Sequence, residues 1–159
     1  MKILSLLCAL LLALSMTGCA VATQHKADTA ENVVLEGEEK MQQLKIKING
    51  HNFTALFYDN KAADKLKTLL PLQLKMRELN GNEKYCNLPE ALPVQTQKVG
   101  KINAGDIMLF GNDCLVIFYK SFSTPYSYTR LARIENTPAL EKVVGHGSVQ
   151  AEFSLLEEE

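Results

Sequence analysis

The sequence predicts a mainly β chain that closes into a barrel with one or two short helices, and three observations support this. Apolar and polar residues alternate with period two in several short runs, turn-forming Asn and Gly residues join neighbouring runs, and helical spacing surfaces only briefly. Leu44, Ile46 and Ile48 alternate with Lys45 and Lys47, Asn49-Gly50 supplies a two-residue turn, and Phe53, Ala55 and Phe57 resume the alternation. Asn-Gly suits that turn because both of its central residues take positive φ. Asp59 or Asn60 then caps a helix with Ala62, Ala63, Leu66, Leu69 and Leu70 at helical spacing, and Pro71, which has no N–H to donate, ends it. Strand character returns as Leu72, Leu74 and Met76 alternate with Gln73, Lys75 and Arg77. The turn Asn80-Gly81-Asn82 follows, and Tyr85 to Leu88 forms another short strand.

Pro89 to Lys101 has two prolines and no periodicity, so it reads as a long surface loop of the kind that borders sites. Ile107 to Phe110, the turn Gly111-Asn112-Asp113 and Cys114 to Tyr119 make a second hairpin, whose apolar second arm predicts a strand buried on both faces. Tyr128 to Ile134 is a further strand. Thr137-Pro138 opens a short helix with Pro at its first position, Gly145 closes it, and Val149, Ala151, Phe153 and Leu155 form the last alternating strand. The count is seven or eight short strands with no internal repeat. A barrel removes the exposed edges such strands would otherwise present.

Ahead of this domain, residues 1–18 read as a lipoprotein signal peptide: Lys2 gives a positive start, Ile3 to Met16 an apolar run, and Met16-Thr17-Gly18-Cys19 a lipobox-like cleavage site. The apolar run is shorter than the ~20 residues a membrane-spanning helix needs. Lipidation is expected on Cys19; the alternative is a plain secretory peptide cut nearby. Residues 19–43 form the lipidated cysteine and a polar tether. Its stretch from Ala20 to Met41 has a root-mean-square reach of about 25 Å as a flexible chain. The expected partner is the membrane, reached through Cys19, and the expected address is the cell envelope. In a Gram-negative cell, Ala20 rather than Asp after the cysteine favours the outer membrane, facing the periplasm. The folded domain spans residues 44–156, followed by an acidic end at residues 157–159.

Lys and Arg number 17 against 18 Asp and Glu, for a net charge of −1 and a pI near 6.3, which argues against nucleic acid as a partner. Of four cysteines, Cys8 and Cys19 belong to the signal and cleavage site, leaving Cys86 and Cys114 in the domain. An oxidising compartment permits them to pair, whereas their apolar, strand-like settings suit free cysteines packed as small hydrophobes. His25, His51 and His146 are scattered, with no spacing of a metal site, and Gly145-His146-Gly147 lacks the lysine of a phosphate loop. No metal and no cofactor is expected.

Two segments carry a family resemblance: Leu79-Asn80-Gly81-Asn82-Glu83-Lys84-Tyr85, and the run from Gly105-Asp106-Ile107-Met108-Leu109-Phe110 through Cys114–Thr124 to Tyr126–Arg130. They resemble the bacterial cyclophilin-like domain family, which includes secreted and lipid-anchored proteins, and the similarity extends from Leu44 to Phe153. The resemblance implies a small closed cyclophilin-like β-barrel, with no established activity attached to it. True cyclophilins use an arginine beside an apolar pocket to lower the ~18–20 kcal/mol barrier to rotation about an X-Pro amide. Their Phe-His-Arg run, followed by an aromatic and a Gln before Gly-Asp, is absent here, and the chain has no Trp. No catalytic residue carries over. A peptidyl-prolyl isomerase with a non-standard site, using Arg130 or Arg77, is the alternative function.

The leading expectation is a binding module for an extended peptide or small ligand. Its candidate residues are Glu83, Tyr85, Tyr119, Phe122, Tyr126, Tyr128 and Arg130. Tyrosines offer an apolar face with a hydroxyl tip, a combination favoured at binding surfaces. The competing structural explanation has Tyr119 and Tyr128 filling the barrel ends. Glu83, where related domains also carry an acid and an aromatic, either meets a ligand donor or pairs with Arg130.

Overall fold

The computed structural model describes residues 42–157. The expected signal peptide, Cys19, nearly all of the tether, and Glu158 and Glu159 lie outside the described residues. The first hairpin forms as anticipated: β1 (Gln43–Ile48) and β2 (His51–Phe57) flank Asn49 and Gly50, at φ +48° and +80°. Asn60, not Asp59, caps α1 (Lys61–Leu69). Its Oδ1 accepts the N–H groups of Ala62 and Ala63, both at 3.0 Å, while its Nδ2 donates to the Arg130 carbonyl at 2.9 Å. One side chain therefore starts the helix and ties it to the sheet.

The chain continues through β3 (Leu72–Leu79), β4 (Glu83–Asn87), β5 (Gln97–Lys98), β6 (Lys101–Ile102), β7 (Asp106–Phe110), β8 (Cys114–Phe118), β9 (Phe122–Ser123), β10 (Ser127–Ile134), α2 (Leu140–Val144) and β11 (Val149–Leu155). Eight of these strands form an antiparallel barrel in the order β2-β1-β11-β3-β4-β8-β7-β10, closed where β10 returns to β2. The first and last strands are direct neighbours, with Leu44 opposite Leu155 and Ile48 opposite Ala151. No helix among the described residues is long and apolar enough to cross a membrane.

Three sequence expectations need correction. β4 begins at Glu83, two residues ahead of Tyr85, because Leu79 and Glu83 already pair across the turn. The segment Pro89–Lys101 is not simply a surface loop. Leu92 is buried, Gln97 and Lys98 pair with β10, and Lys101 pairs with β9. The second helix proper starts at Leu140. Thr137 and Pro138 belong to the turn before it, in which the Leu140 N–H meets the Thr137 carbonyl at 2.9 Å. Gly145 closes α2 as expected, at φ +52°.

Period-two alternation sorts the side chains into two cores. Leu44, Ile46, Ile48, Met76, Leu109, Leu115, Ile117, Ala151 and Phe153 fill the barrel interior together with Leu66 of α1. A second cluster lies on the outer face of the wall: Met108, Val116, Phe118 and Tyr128 pack with Ile102, and Tyr85, Val99, Cys114 and Phe122 lean against them. β7 and β8 are therefore apolar on both faces, which explains the unbroken run from Leu115 to Phe118.

Candidate functional site

Register decides which candidate residues meet. Glu83 lies opposite Phe118 and Tyr85 opposite Val116, Val116 lies opposite Met108, and Met108 opposite Arg130. Because alternate residues share a face, these positions and Tyr128 all belong to the outer wall. A continuous ladder of rings crosses it. Tyr126 meets Phe110 edge-on at 6.2 Å, Phe110 meets Tyr128 at 5.6 Å, Tyr128 meets Phe118 at 5.5 Å, and Phe118 meets Phe122 at 5.7 Å. The ladder runs from solvent, where Tyr126 and Phe110 are 60 % and 47 % exposed, down to the fully buried Phe118. Such offset and edge-to-face pairs are each worth about 0.5–1.5 kcal/mol beyond burial.

Glu83 stands beside the buried end of the ladder. It is 8 % exposed and has no hydrogen-bond or ion-pair partner among the described residues. Burial pushes its carboxyl above the ordinary value, and the nearby Glu78 carboxylate pushes it further. Burial also raises the Tyr128 hydroxyl, and the Glu83 charge adds to the effect, which ties the acid to the ladder. A carboxyl raised in the folded state favours folding at pH values below its unfolded pKa. That contribution is lost as pH rises through the folded pKa. Glu83→Gln is therefore expected to raise the urea midpoint at pH 8 and to leave it nearly unchanged at pH 4, where native Glu83 is already neutral. An equal effect at both pH values would show that charge is not what the substitution relieves.

Arg130 does not pair with Glu83, contrary to one sequence expectation. A β-bulge between Arg130 and Ala132 shifts the register of β10, so that Arg130 and Arg133 both face Asp106, at 4.0 and 3.1 Å. Arg130 also donates to the Tyr58 hydroxyl at 3.4 Å. Asp106, 1 % exposed, accepts the Asn103 N–H at 2.8 Å as well. This cluster secures the wall where β10 turns toward β2.

Tyr119 belongs elsewhere too. It sits in the interior cluster, and its hydroxyl donates to Glu78 at 2.7 Å. The Lys84 ammonium, fully buried, donates to Glu78 and to the carbonyls of Gly145 and Gly147, at 2.9 and 2.7 Å respectively, and lies 5.4 Å from the Tyr119 ring centre. Tyr119 is part of a polar plug at one barrel end, whereas Tyr128, expected at a barrel end by the same structural explanation, lies on the outer wall. Of the seven candidates, Glu83, Tyr85, Phe122, Tyr126, Tyr128 and Arg130 share the outer wall, and Arg130 is engaged with Asp106 there.

Sequence reasoning passed over Phe110 as a ring of the ladder, although its place at the end of β7 opposite Cys114 was readable. It also left open the choice between Arg77 and Arg130. Arg77 pairs in register with Tyr85 and lies 4.7 Å from its ring centre. Three clefts of about 400–450 Å³ are lined by residues outside the ladder. One is lined by Leu56, Phe57, Tyr58, Arg133 and Glu135, and another by Tyr119, Lys120, Pro138 and His146.

Cys86 and Cys114 are free. Cys86 lies opposite Leu115 and Cys114 opposite Asn87, an offset of one that sends the two thiols to opposite faces of the sheet. Burial pushes Cys86 up to about 11 and raises Cys114, with Asp113 and Glu83 adding to the latter, so neither is poised as a thiolate. Among the described residues no three His, Cys, Asp or Glu side chains gather as a metal-binding set.

A family model described as "Cyclophilin-like family" matches residues 46–154 of the chain. No curated protein and no solved structure matches it.

Proposed function

We propose, from the premise that this chain belongs to the cyclophilin-like family, that its domain is a binding module for an extended peptide or small ligand. In this reading it is held at the cell envelope by a lipid on Cys19. The observation behind it is the aromatic ladder, which leaves Tyr126 and Phe110 in solvent and runs inward toward an acid with no partner among the described residues. Tyrosine and phenylalanine rings that meet in solvent offer the apolar faces and hydroxyl tip on which peptides and small ligands dock.

The test is two-dimensional NMR of the full-length protein in detergent, titrated with proline-containing peptides and cell-envelope sugars. Shifts clustered at Glu83, Tyr85, Phe110, Phe122, Tyr126 and Tyr128, with Tyr119 still, are the expected result. Absence of shifts on the ladder across the whole set would remove the reading. The anchor has its own test: wild-type protein is expected to partition with membranes and Cys19→Ala into the aqueous fraction, and equal partitioning would refute lipidation.

Prolyl isomerisation is the second reading, and the observation favouring it is the placement of Arg77. Its guanidinium stacks on Tyr85 at the margin of the apolar face and has no carboxylate partner among the described residues, whereas Arg130 is occupied by Asp106. Exchange spectra on the same peptides separate the readings. An isomerase would accelerate cis/trans exchange and lose the acceleration in Arg77→Ala.

A further inference from the structure

Three charged side chains of the domain are buried: Glu83, Lys84 and Asp106. Lys84 is neutralised by Glu78 and satisfied by two carbonyls. Asp106 has two arginines and a backbone N–H. Glu83 alone has no counter-charge among the described residues. Its carboxyl is largely desolvated and has no compensating charge within the fold, which leaves its oxygens available to an outside donor. Its oxygens are not sealed away, since Asn82 Oδ1 is the side-chain atom that is both buried and unbonded among the described residues.

Its surroundings indicate what is missing. Glu83 shares its face with Tyr85 and lies opposite Phe118, whose ring is flanked by Phe122 and Tyr128. Aromatic faces carry negative potential, and a carboxylate among them makes a site for a cation that has shed part of its water. The same face already carries one cation over a ring, the exposed Arg77 guanidinium 4.7 Å from the Tyr85 ring centre. Arg77 makes no ion pair with Glu83, and Arg130 is taken by Asp106, so neither nearby arginine neutralises the acid.

We infer that the ladder recognises a positively charged side chain: an extended peptide lays a lysine or arginine across the rings, with its charge against the Glu83 carboxylate. The inference rests on the binding-module reading and narrows it to basic peptides. The aliphatic stem of such a residue packs on the half-buried rings of Tyr85 and Phe122 while its head reaches the acid.

The experiment measures anisotropy of fluorescent octapeptide pools on full-length protein in detergent. The pools carry lysine, norleucine or glutamate at a fixed central position and are randomised elsewhere. The lysine pool is expected to bind about tenfold tighter than the norleucine pool, as a desolvated cation–π contact with a charge-assisted bond implies. The glutamate pool is expected to bind weakest. Glu83→Gln, with its thermal midpoint checked for an intact fold, is expected to bring the lysine pool down to the norleucine level. Equal binding of lysine and norleucine pools would overturn the cation inference and leave the binding module standing. A lysine preference that survives Glu83→Gln would overturn the role given to this acid. No binding by any pool would overturn both the peptide-binding reading and this refinement.

Discussion

Lys84→Ala is expected to destabilise the domain by about 3–5 kcal/mol, enough to abolish the fold if total stability lies at the low end for a domain of this size. The substitution removes a fully buried ammonium and leaves the Glu78 carboxylate without its charge partner and the carbonyls of Gly145 and Gly147 without a donor. The loss has three parts: the half-buried Glu78 carboxylate is left uncompensated, two glycine carbonyls lose their donor, and the space of a fully buried side chain is emptied. The double replacement Lys84→Met with Glu78→Gln is therefore expected to recover much of the loss, read as the midpoint of chemical denaturation at constant slope. If the double variant is no more stable than Lys84→Ala, neither the uncompensated Glu78 charge nor the emptied space is the cause. The same network sets a pH dependence. Burial pushes Glu78 up, but hydrogen bonds from Lys84 and Tyr119, the Lys84 charge and the Gly81 N–H outweigh it, so the carboxyl sits below its ordinary 4.5. A lowered carboxyl favours folding above its unfolded pKa, and that contribution is lost as pH falls through the lower folded value. Lys84→Ala should accordingly flatten the acid limb of the stability profile.

Phe118→Ala is the second large effect, about 3–5 kcal/mol, the range for emptying a buried phenylalanine site. Phe118 is fully buried at the centre of the outer cluster, in contact with the rings of both Tyr128 and Phe122. Its loss would leave a cavity under the ladder and free Phe122 and β9 from the wall. Phe118→Leu keeps most of the volume and is expected to cost less than half as much, while still breaking the ring sequence. Comparable midpoints for the Ala and Leu variants would mean that the outer cluster contributes little to stability and acts only as a surface.

The barrel was legible in the sequence because its signals are local. Alternation in Leu44–Ile48 and Phe53–Phe57, the Asn49-Gly50 turn and the apolar run after Cys114 each report on a strand without reference to any other. The short strands β5, β6 and β9 were not legible. Two residues carry no period, and their pairing comes from being held over the outer cluster by Val99, Ile102 and Phe122. The site was half legible. Alternation assigns Glu83 and Tyr85 to one face but cannot say that Arg130 looks toward Asp106, because a bulge at Leu131 resets the count within β10. Lys84 was the least readable, since a lysine in a strand ordinarily marks a solvent face. Only the arrival of Gly145 and Gly147 from the far end of the sequence makes an interior place for it.

The place of β11 has a consequence for assembly. It lies between β1 and β3, so neither edge can be sealed until β11 is in place. A chain in which β11 has not yet docked carries two raw edges, at β1 and β3, and an exposed strand edge is a template for the wrong partner. The seven residues of β11 convert two sticky margins into continuous wall in one step. Assembly of this domain is therefore most vulnerable to any loss or delay of β11, even though its core is largely encoded before Val149.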